Sequence, residues 1–296
     1  MRPRRGRAEA GVHRRWVRAP VLASRADRLP APSDAPRARR LAALAAGALL
    51  AAAAGPAAAG ELALIVDDLG NDRAAGLRAA ALPGPVACAI LPHTPHARLI
   101  ARAARAHGKE VLLHLPMAAV DARPPGPGAI GLHMTRAELE RTLAAALASV
   151  PGAVGVNNHM GSLITRHPGH MAWLMAALAR RGLFFVDSRT TAATVAERLA
   201  AEHGVPHARR HVFLDAEPGA AGLRAGLARL RARLARRGRA VAIVHPSPAA
   251  LALLERELPR LAREHRLVPV SALVERSGRG GARLAVRAPS RIAPAP

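Results

Sequence analysis

Asp67 and Asp68 stand side by side at the end of an apolar run, Glu61-Leu-Ala-Leu-Ile-Val66, and Gly70-Asn71 follows at once as a turn. Two carboxylates this close are costly unless a cation or a proton separates them. Neighbouring strand residues point to opposite sides. The end of the strand is therefore expected to aim one carboxylate into a site while the other approaches from the turn. Later apolar runs end in histidines, and the combination points to a metal-assisted hydrolase.

Seven run ends carry Asp or His. They are Asp67-Asp68, His93 in Leu-Pro-His-Thr-Pro-His96, and His114 in Leu-Leu-His-Leu-Pro-Met117. His159 follows in Gly-Val-Asn-Asn-His-Met-Gly-Ser162, then Asp187 before Ser188-Arg189, Asp215 after Phe213-Leu214, and His245 in Ile-Val-His-Pro246. Asp68, His114 and His159 make one carboxylate and two imidazoles, a common first shell for zinc or another divalent ion that leaves positions for water and substrate. Asp67 then stays off the metal and takes a proton from the attacking water. His245 is placed to protonate the leaving group, its ordinary pKa lying near 6.5. The alternative for each histidine is a buried ring hydrogen-bonded at a loop start; for Asp67 it is a turn cap.

Around these, His93, Asn158, Asp187 and Arg189 are candidates for lining or supporting the cleft. Arg189 next to Asp187 either binds substrate or forms an ordinary loop ion pair. Ser162 sits in Met-Gly-Ser-Leu-Ile, not in the Gly-x-Ser-x-Gly setting of a serine nucleophile, and a serine triad would leave the doubled aspartate without a purpose. Cys88 is the sole cysteine, within an apolar run, and reads as a small buried hydrophobe.

The elements that must position these groups alternate along the chain. Strand-like runs are expected at 62–66, 86–91, 110–115, 153–157, 183–186, 212–214, 240–244 and 267–270. Helices are expected near 72–81, 97–107, up to 150 from a Thr135/Glu138 capping box, then 170–181, 191–203, 220–237 and 248–264. Most of the strand runs are continuously apolar, as when helices cover a sheet. About eight βα units in roughly 210 residues fit a single β/α barrel, closed or partly open, better than a doubly wound sheet. Asp-Asp-Leu-Gly-Asn also stands where a dinucleotide fold would carry its glycine fingerprint. In a β/α barrel the carboxyl ends of the strands converge on one mouth, which would gather the seven run ends.

The formal net charge of the 296-residue chain is +24, but much of it sits at the ends. Residues 1–40 hold twelve arginines against three acids, and 275–296 hold five against one. The middle has few aromatics and no interleaved arginine to stack bases, so no nucleic-acid partner is expected. Residues 41–59 are apolar throughout and follow Arg37, Arg39 and Arg40, and Ala57-Ala58-Ala59 suits a small-residue cleavage site. Residues 1–60 therefore read as a basic leader with a signal peptide or, if uncleaved, a membrane anchor. The domain of 61–273 is then expected in the periplasm or outside the cell. Residues 274–296 read as a disordered basic tail.

Five stretches together resemble the divergent polysaccharide deacetylases, relatives of the NodB-type carbohydrate esterases. They are Ile65-Val-Asp-Asp-Leu-Gly70, Val111-Leu-Leu-His-Leu-Pro-Met117, Gly155-Val-Asn-Asn-His-Met-Gly-Ser162, Phe184-Phe-Val-Asp-Ser-Arg-Thr190 and Ile243-Val-His-Pro246. The resemblance implies a distorted β/α barrel and metal-dependent removal of N- or O-linked acetyl groups from an envelope or extracellular polysaccharide, such as a peptidoglycan-like glycan. It implies Asp67 as base, Asp68 as metal carboxylate and His245 as acid. NodB-type enzymes usually take both metal histidines from one His-x-x-x-His motif. Here Leu163 stands four residues after His159, so the second histidine is His114, from another strand. The arginine-proline-tyrosine loop is also absent, with Asp187-Ser-Arg189 in roughly its place. A non-catalytic glycan-binding or scaffolding protein of the envelope that keeps the fold is the alternative.

Overall fold

A computed structural model describes residues 59–275. The leader expected over 1–60 and the tail expected from 274 lie outside the described residues, except at their inner edges. Nine strands form one sheet: β1 (Glu61–Leu69), β2 (Ala87–Ile90), β3 (Val111–Met117), β4 (Ala153–Met160), β5 (Phe184–Asp187), β6 (His207–Arg209), β7 (Val212–Phe213), β8 (Arg239–Val244) and β9 (Arg266–Leu267). Their order is β6-β5-β4-β3-β2-β1-β8-β7, with β9 beside β1, and every pairing is parallel.

The sheet curls until one short stretch of chain serves both its edges. Strand β6 pairs with β5, and Arg210 N–H donates to Asp187 O at 2.8 Å. One residue on, His211 N–H donates to Val241 O at 2.8 Å, and β7 pairs with β8. Residues 207–213 thus close the β/α barrel that the alternating pattern predicts, distorted as the resemblance implies, and the backbone groups of both edges find partners.

Period-two alternation divides the core. Leu62, Leu64 and Val66 of β1 face outward and pack with the helices, whereas Ala63 and Ile65 join an inner cluster with Ala87, Ala89, Leu112, Val186, Val241 and Ile243. Small residues suit that narrow interior, into which Val268, Val270 and Leu273 also pack.

The covering helices are α1 (Arg73–Ala80), α2 (Ala97–Ala106), α3 (Arg136–Ser149), α4 (Pro168–Ala179), α5 (Ala196–Glu202), α6 (Gly219–Arg237) and α7 (Pro248–Glu264). The capping box forms at α3, where Glu138 N–H donates to Thr135 Oγ1 at 3.3 Å and Thr135 N–H donates to Glu138 Oε2 at 2.8 Å. Helix α5 starts five residues later than its sequence suggests. The Thr191 and Thr194 hydroxyls accept from Ala193 N–H and Ala196 N–H at 3.2 Å and hold the segment in turns. The strand expected over 267–270 is cut short at Leu267, because Pro269 interrupts it and Val270–Ala272 turns as a 3₁₀-helix. Among the described residues no helix is long and apolar enough to cross a membrane.

Candidate metal centre

Strand β1 does not end before the aspartates; it runs through them to Leu69. Its pairing with β2 slips between Val66 and Leu69, where three steps on β1 match two on β2, from Cys88 to Ile90. This is a β-bulge, and Asp68 sits in it at φ 54°. Aspartate tolerates that left-handed conformation better than most residues. The bulge breaks the alternation that would otherwise send neighbouring side chains to opposite faces, so both carboxylates reach one site. The turn expected to bring in the second carboxylate lies further on. There Gly70 has φ 126°, and a Cβ on it would meet Thr94 Oγ1 at 2.1 Å.

Strands β3 and β4 supply the histidines. Leu113 and Leu115 face the helices, which leaves Leu112 and His114 on the inner face. On β4, Asn157 and His159 share a face and lie in register beside His114 and Pro116. Asp68 Oδ1 is 3.1 Å from His114 Nε2 and 2.8 Å from His159 Nδ1. One ligand atom from each of Asp68, His114 and His159 lies within 4.8 Å of the others, so the three could hold a metal ion together.

Three observations test that fit. First, Asp68 Oδ1 is buried without a hydrogen-bond partner. Second, Asn157 fixes the His114 tautomer. Its Nδ2 donates to Asp67 Oδ1 at 2.8 Å, which turns its Oδ1 towards His114 Nδ1 at 2.9 Å. Since that oxygen only accepts, Nδ1 carries a hydrogen, and Nε2 is the nitrogen turned to Asp68. A ring nitrogen facing a carboxylate calls for a cation between them, a proton or a metal ion. Third, burial would lower the His114 pKa, but the charges of Asp67 and Asp68 more than offset it and raise it. The pocket favours positive charge at this point. The donor set of two imidazole nitrogens and a carboxylate oxygen suits a divalent ion of the zinc type.

Asp67 is buried and lies outside the triad, with Oδ2 3.6 Å from His114 Nε2. Burial raises its pKa, and His114 and Asn157 only partly counter this. Burial would raise that of Asp68 too, but the two histidines hold it far below the ordinary carboxylate range. Adjacent residues of one type thus acquire opposite properties.

His245 enters from the end of β8, with Nε2 3.5 Å from Asp68 Oδ2. Asp215 Oδ2 accepts from the His245 backbone N–H at 3.0 Å and lies 3.1 Å from its Nδ1. Burial lowers the His245 pKa, yet Asp215 and Asp68 outweigh it and the net shift is upward. Sequence reasoning assigned no role to Asp215 or Asn157. Their signal was polarity at the end of a buried run, the same one that marked the histidines.

The supporting candidates divide. Arg189, at φ 48°, lines the cleft of about 660 Å³ together with Asp67, His114, His159 and His245. Its guanidinium reaches Glu197 at 3.3 Å. Asp187 does not line the cleft. It is fully buried, accepts from Arg189 N–H at 2.7 Å and Thr194 Oγ1–H at 2.8 Å, and so shapes the loop that carries Arg189. Asn158 lines the cleft and also braces backbone, donating to Met160 O at 2.8 Å and accepting from Ser188 N–H at 2.9 Å. His93 is not among the residues that line the cleft. Its loop turns at φ 58°, its backbone N–H donates to Ser149 Oγ, and its exposed ring lies against Gly128. Arg210 lines the wall unforeseen, its guanidinium donating to the carbonyls of Ser188 and Arg189 and lying 4.8 Å over the Phe213 ring. Cys88 is fully buried and pushed up to about 12 by that burial, as a packing residue should be. Ser162 lines the cleft edge, where its hydroxyl accepts from Val120 N–H.

The profile of the divergent polysaccharide deacetylases matches residues 64–274 of the chain. The uncharacterized protein YibQ of Escherichia coli is 38% identical over 227 residues, covering 77% of this chain and 71% of the relative. An uncharacterized protein of Haemophilus influenzae is 35% identical over 213 residues, covering 72% and 76%. Among solved structures, an uncharacterized protein of Agrobacterium tumefaciens superposes with a TM-score of 0.69 at 23% identity, over 74% of this chain and 91% of the other, which is a likeness of fold.

Proposed function

The chain belongs to the divergent polysaccharide deacetylase family, and from that premise we propose that it hydrolyses N- or O-linked acetyl groups on an envelope or extracellular polysaccharide. The observation that carries this reading is the Asp68–His114–His159 cluster, with a separate buried carboxylate, Asp67, on one side of it and a histidine, His245, on the other.

Asp68, His114 and His159 would hold a divalent ion, zinc in this reading, which would supply Lewis acidity for the acetyl carbonyl and for deprotonation of water. Asp67 accepts the proton of the water that attacks the carbonyl carbon. Its raised pKa makes it a stronger base than an exposed aspartate, and Asn157 keeps one of its oxygens occupied so that the other is free for the transfer. His245 donates a proton from Nε2 to the departing amine or alcohol as the bond to the acetyl carbon breaks. Acetate and the deacetylated sugar are the products. Asp215 holds the opposite nitrogen of that ring and stabilises the charged form that makes the donation. Arg189 and the Arg210–Phe213 pair form the wall against which the glycan lies, while Asp187 and Asn158 fix the backbone of that wall.

The same reading assigns residues 1–60 to an exported leader, cleaved or retained as an anchor, 61–273 to the catalytic domain, and 274–296 to a basic tail. Cell fractionation and N-terminal sequencing of the mature protein test it.

The functional test is an acetate-release screen on acetylated chitooligosaccharides, peptidoglycan fragments and O-acetylated glycans, with Asp67→Asn as the control. Release by the wild type and its loss in the variant are expected. Equal release by both on every substrate would overturn the mechanism. Metal-independent glycan binding with no acetate release on any substrate would favour a non-catalytic envelope protein.

A further inference from the structure

A second cleft, of about 310 Å³, opens where residues 207–213 close the barrel. Arg209 from the end of β6, Arg239 from the start of β8, and Arg233 and Arg237 from the last turns of α6 all line it, together with His211. Helix C-termini attract basic residues because of the dipole. That accounts for Arg237 but not for two strand arginines turned onto the same space.

The carboxylates at hand do not balance these charges. Glu197 is shared between Arg209 and Arg189, each at 3.3 Å, and Glu275 pairs with Arg239 at 3.1 Å. Arg233 and Arg237 make no ion pair among the described residues, and Arg233 Nε is buried with no hydrogen-bond partner. Burial and then the charges of Arg209, Arg237, Arg239 and Arg236 push the Arg233 guanidinium below its usual value, so these cations repel one another in the absence of an anion.

His211 adds a neutral donor. Its Nδ1 accepts from Val241 N–H at 2.9 Å, which leaves the ring hydrogen on Nε2. Burial and the surrounding arginines hold its pKa down at about 4, so it stays uncharged and adds no further repulsion.

We propose that this cleft is a binding site for a phosphate monoester group, separate from the metal centre and held chiefly by Arg233, Arg237 and Arg239 with Arg209 and His211 at its edge. Several guanidinium forks match the oxygens and the double negative charge of a phosphate monoester better than those of a singly charged carboxylate. The volume lies at the lower end of small-molecule sites, which suits a compact headgroup rather than an extended polymer. The same chemistry is offered by a soluble phosphorylated compound and by a phosphorylated lipid headgroup.

The test uses full-length protein stripped of metal with a chelator, so that the metal centre does not take up phosphate. One arm titrates inorganic phosphate by calorimetry at constant ionic strength. The other compares binding to phosphatidylcholine vesicles carrying phosphatidic acid with binding to vesicles matched in charge with phosphatidylglycerol. Arg233→Gln and the exposed Arg237→Gln are run beside the wild type, with circular dichroism confirming their folds. Saturable phosphate binding, weakened about tenfold or more by either substitution, is expected for a soluble ligand. Binding seen only with phosphatidic acid, and lost in the variants, identifies a lipid headgroup. No preference for phosphate in either arm, or affinity unchanged in both variants, overturns the site.

Discussion

Asn157 Oδ1 lies 2.9 Å from Nδ1 of His114, while the nitrogen of the same amide lies 2.8 Å from Asp67 Oδ1. One side chain therefore orients a candidate metal-ligand histidine and a proposed catalytic base together. Partners of this kind set the tautomer and orientation of ligating histidines. Asn157→Leu keeps the branched heavy-atom shape and removes both bonds. It is expected to weaken zinc affinity by about 10- to 100-fold, measured by competition with a chromophoric chelator. Unchanged affinity would detach Asn157 from the metal centre.

The triad itself makes a stronger claim. His159→Ala should abolish near-stoichiometric metal in gently purified protein, as read by elemental analysis, while its circular dichroism stays that of the wild type. His159 is only part-buried, so its truncation opens no large internal cavity. Metal retained at wild-type content in the variant would remove His159 from the ligand set.

Much of this site is legible in the chain because its polar residues interrupt apolar runs. Asp67, Asp68, His114, His159 and His245 each end or interrupt a buried strand, and strand ends of a β/α barrel converge. Their mutual geometry is less legible. Alternation alone puts Asp67 and Asp68 on opposite faces, and only the bulge at φ 54° brings them together. His93 has the same signal as His114, yet its loop turns away, held by a contact with Ser149 from 56 residues further along the chain. Strand β6 has no apolar run to announce it: it is three residues, His207-Ala-Arg209, set by pairing with β5. Asp215 and Asn157 acquire their roles from partners 30 and 43 residues away.

Gly70 fixes the exit from the bulge. With φ at 126° and Thr94 Oγ1 2.1 Å from the position of a Cβ, Gly70→Ala should destabilise the domain by about 2 kcal/mol or more. Denaturant unfolding measures it. Because the loop leads directly from Asp68, metal affinity should fall as well. A stability change below about 0.5 kcal/mol, the scale of a neutral surface substitution, would contradict the strain assigned here.

His211 gives the domain an acid-sensitive point away from the metal. Its folded pKa of about 4 lies below its ordinary value of 6.5. The neutral ring is compatible with folding above about 6.5. As pH falls from there towards 4, the unfolded chain binds the proton first and stability is lost. His211→Asn keeps an acceptor for Val241 N–H and removes the titration. Thermal melts over pH 7 to 4 should therefore show a shallower decline in the variant than in the wild type. Parallel declines would assign the acid sensitivity to other groups.

Asp67→Asn separates metal binding from proton transfer. The substitution is isosteric, and an asparagine oxygen at this position still accepts from Asn157 Nδ2, so the buried network survives. Asp67 is not one of the three clustered ligand groups, so metal content should remain that of the wild type. What disappears is the proposed base. The rate of acetate release should fall by about 10²-fold or more, the usual scale for a proton-transfer residue, with KM changed far less. His245→Asn should lower the rate by a similar factor from the other side of the reaction. It should do so most for N-acetyl substrates, whose amine leaving group depends more on protonation than an alcohol does. Metal lost together with activity in Asp67→Asn would make Asp67 a ligand rather than a base. Full activity in that variant would leave the raised pKa of Asp67 without a catalytic purpose.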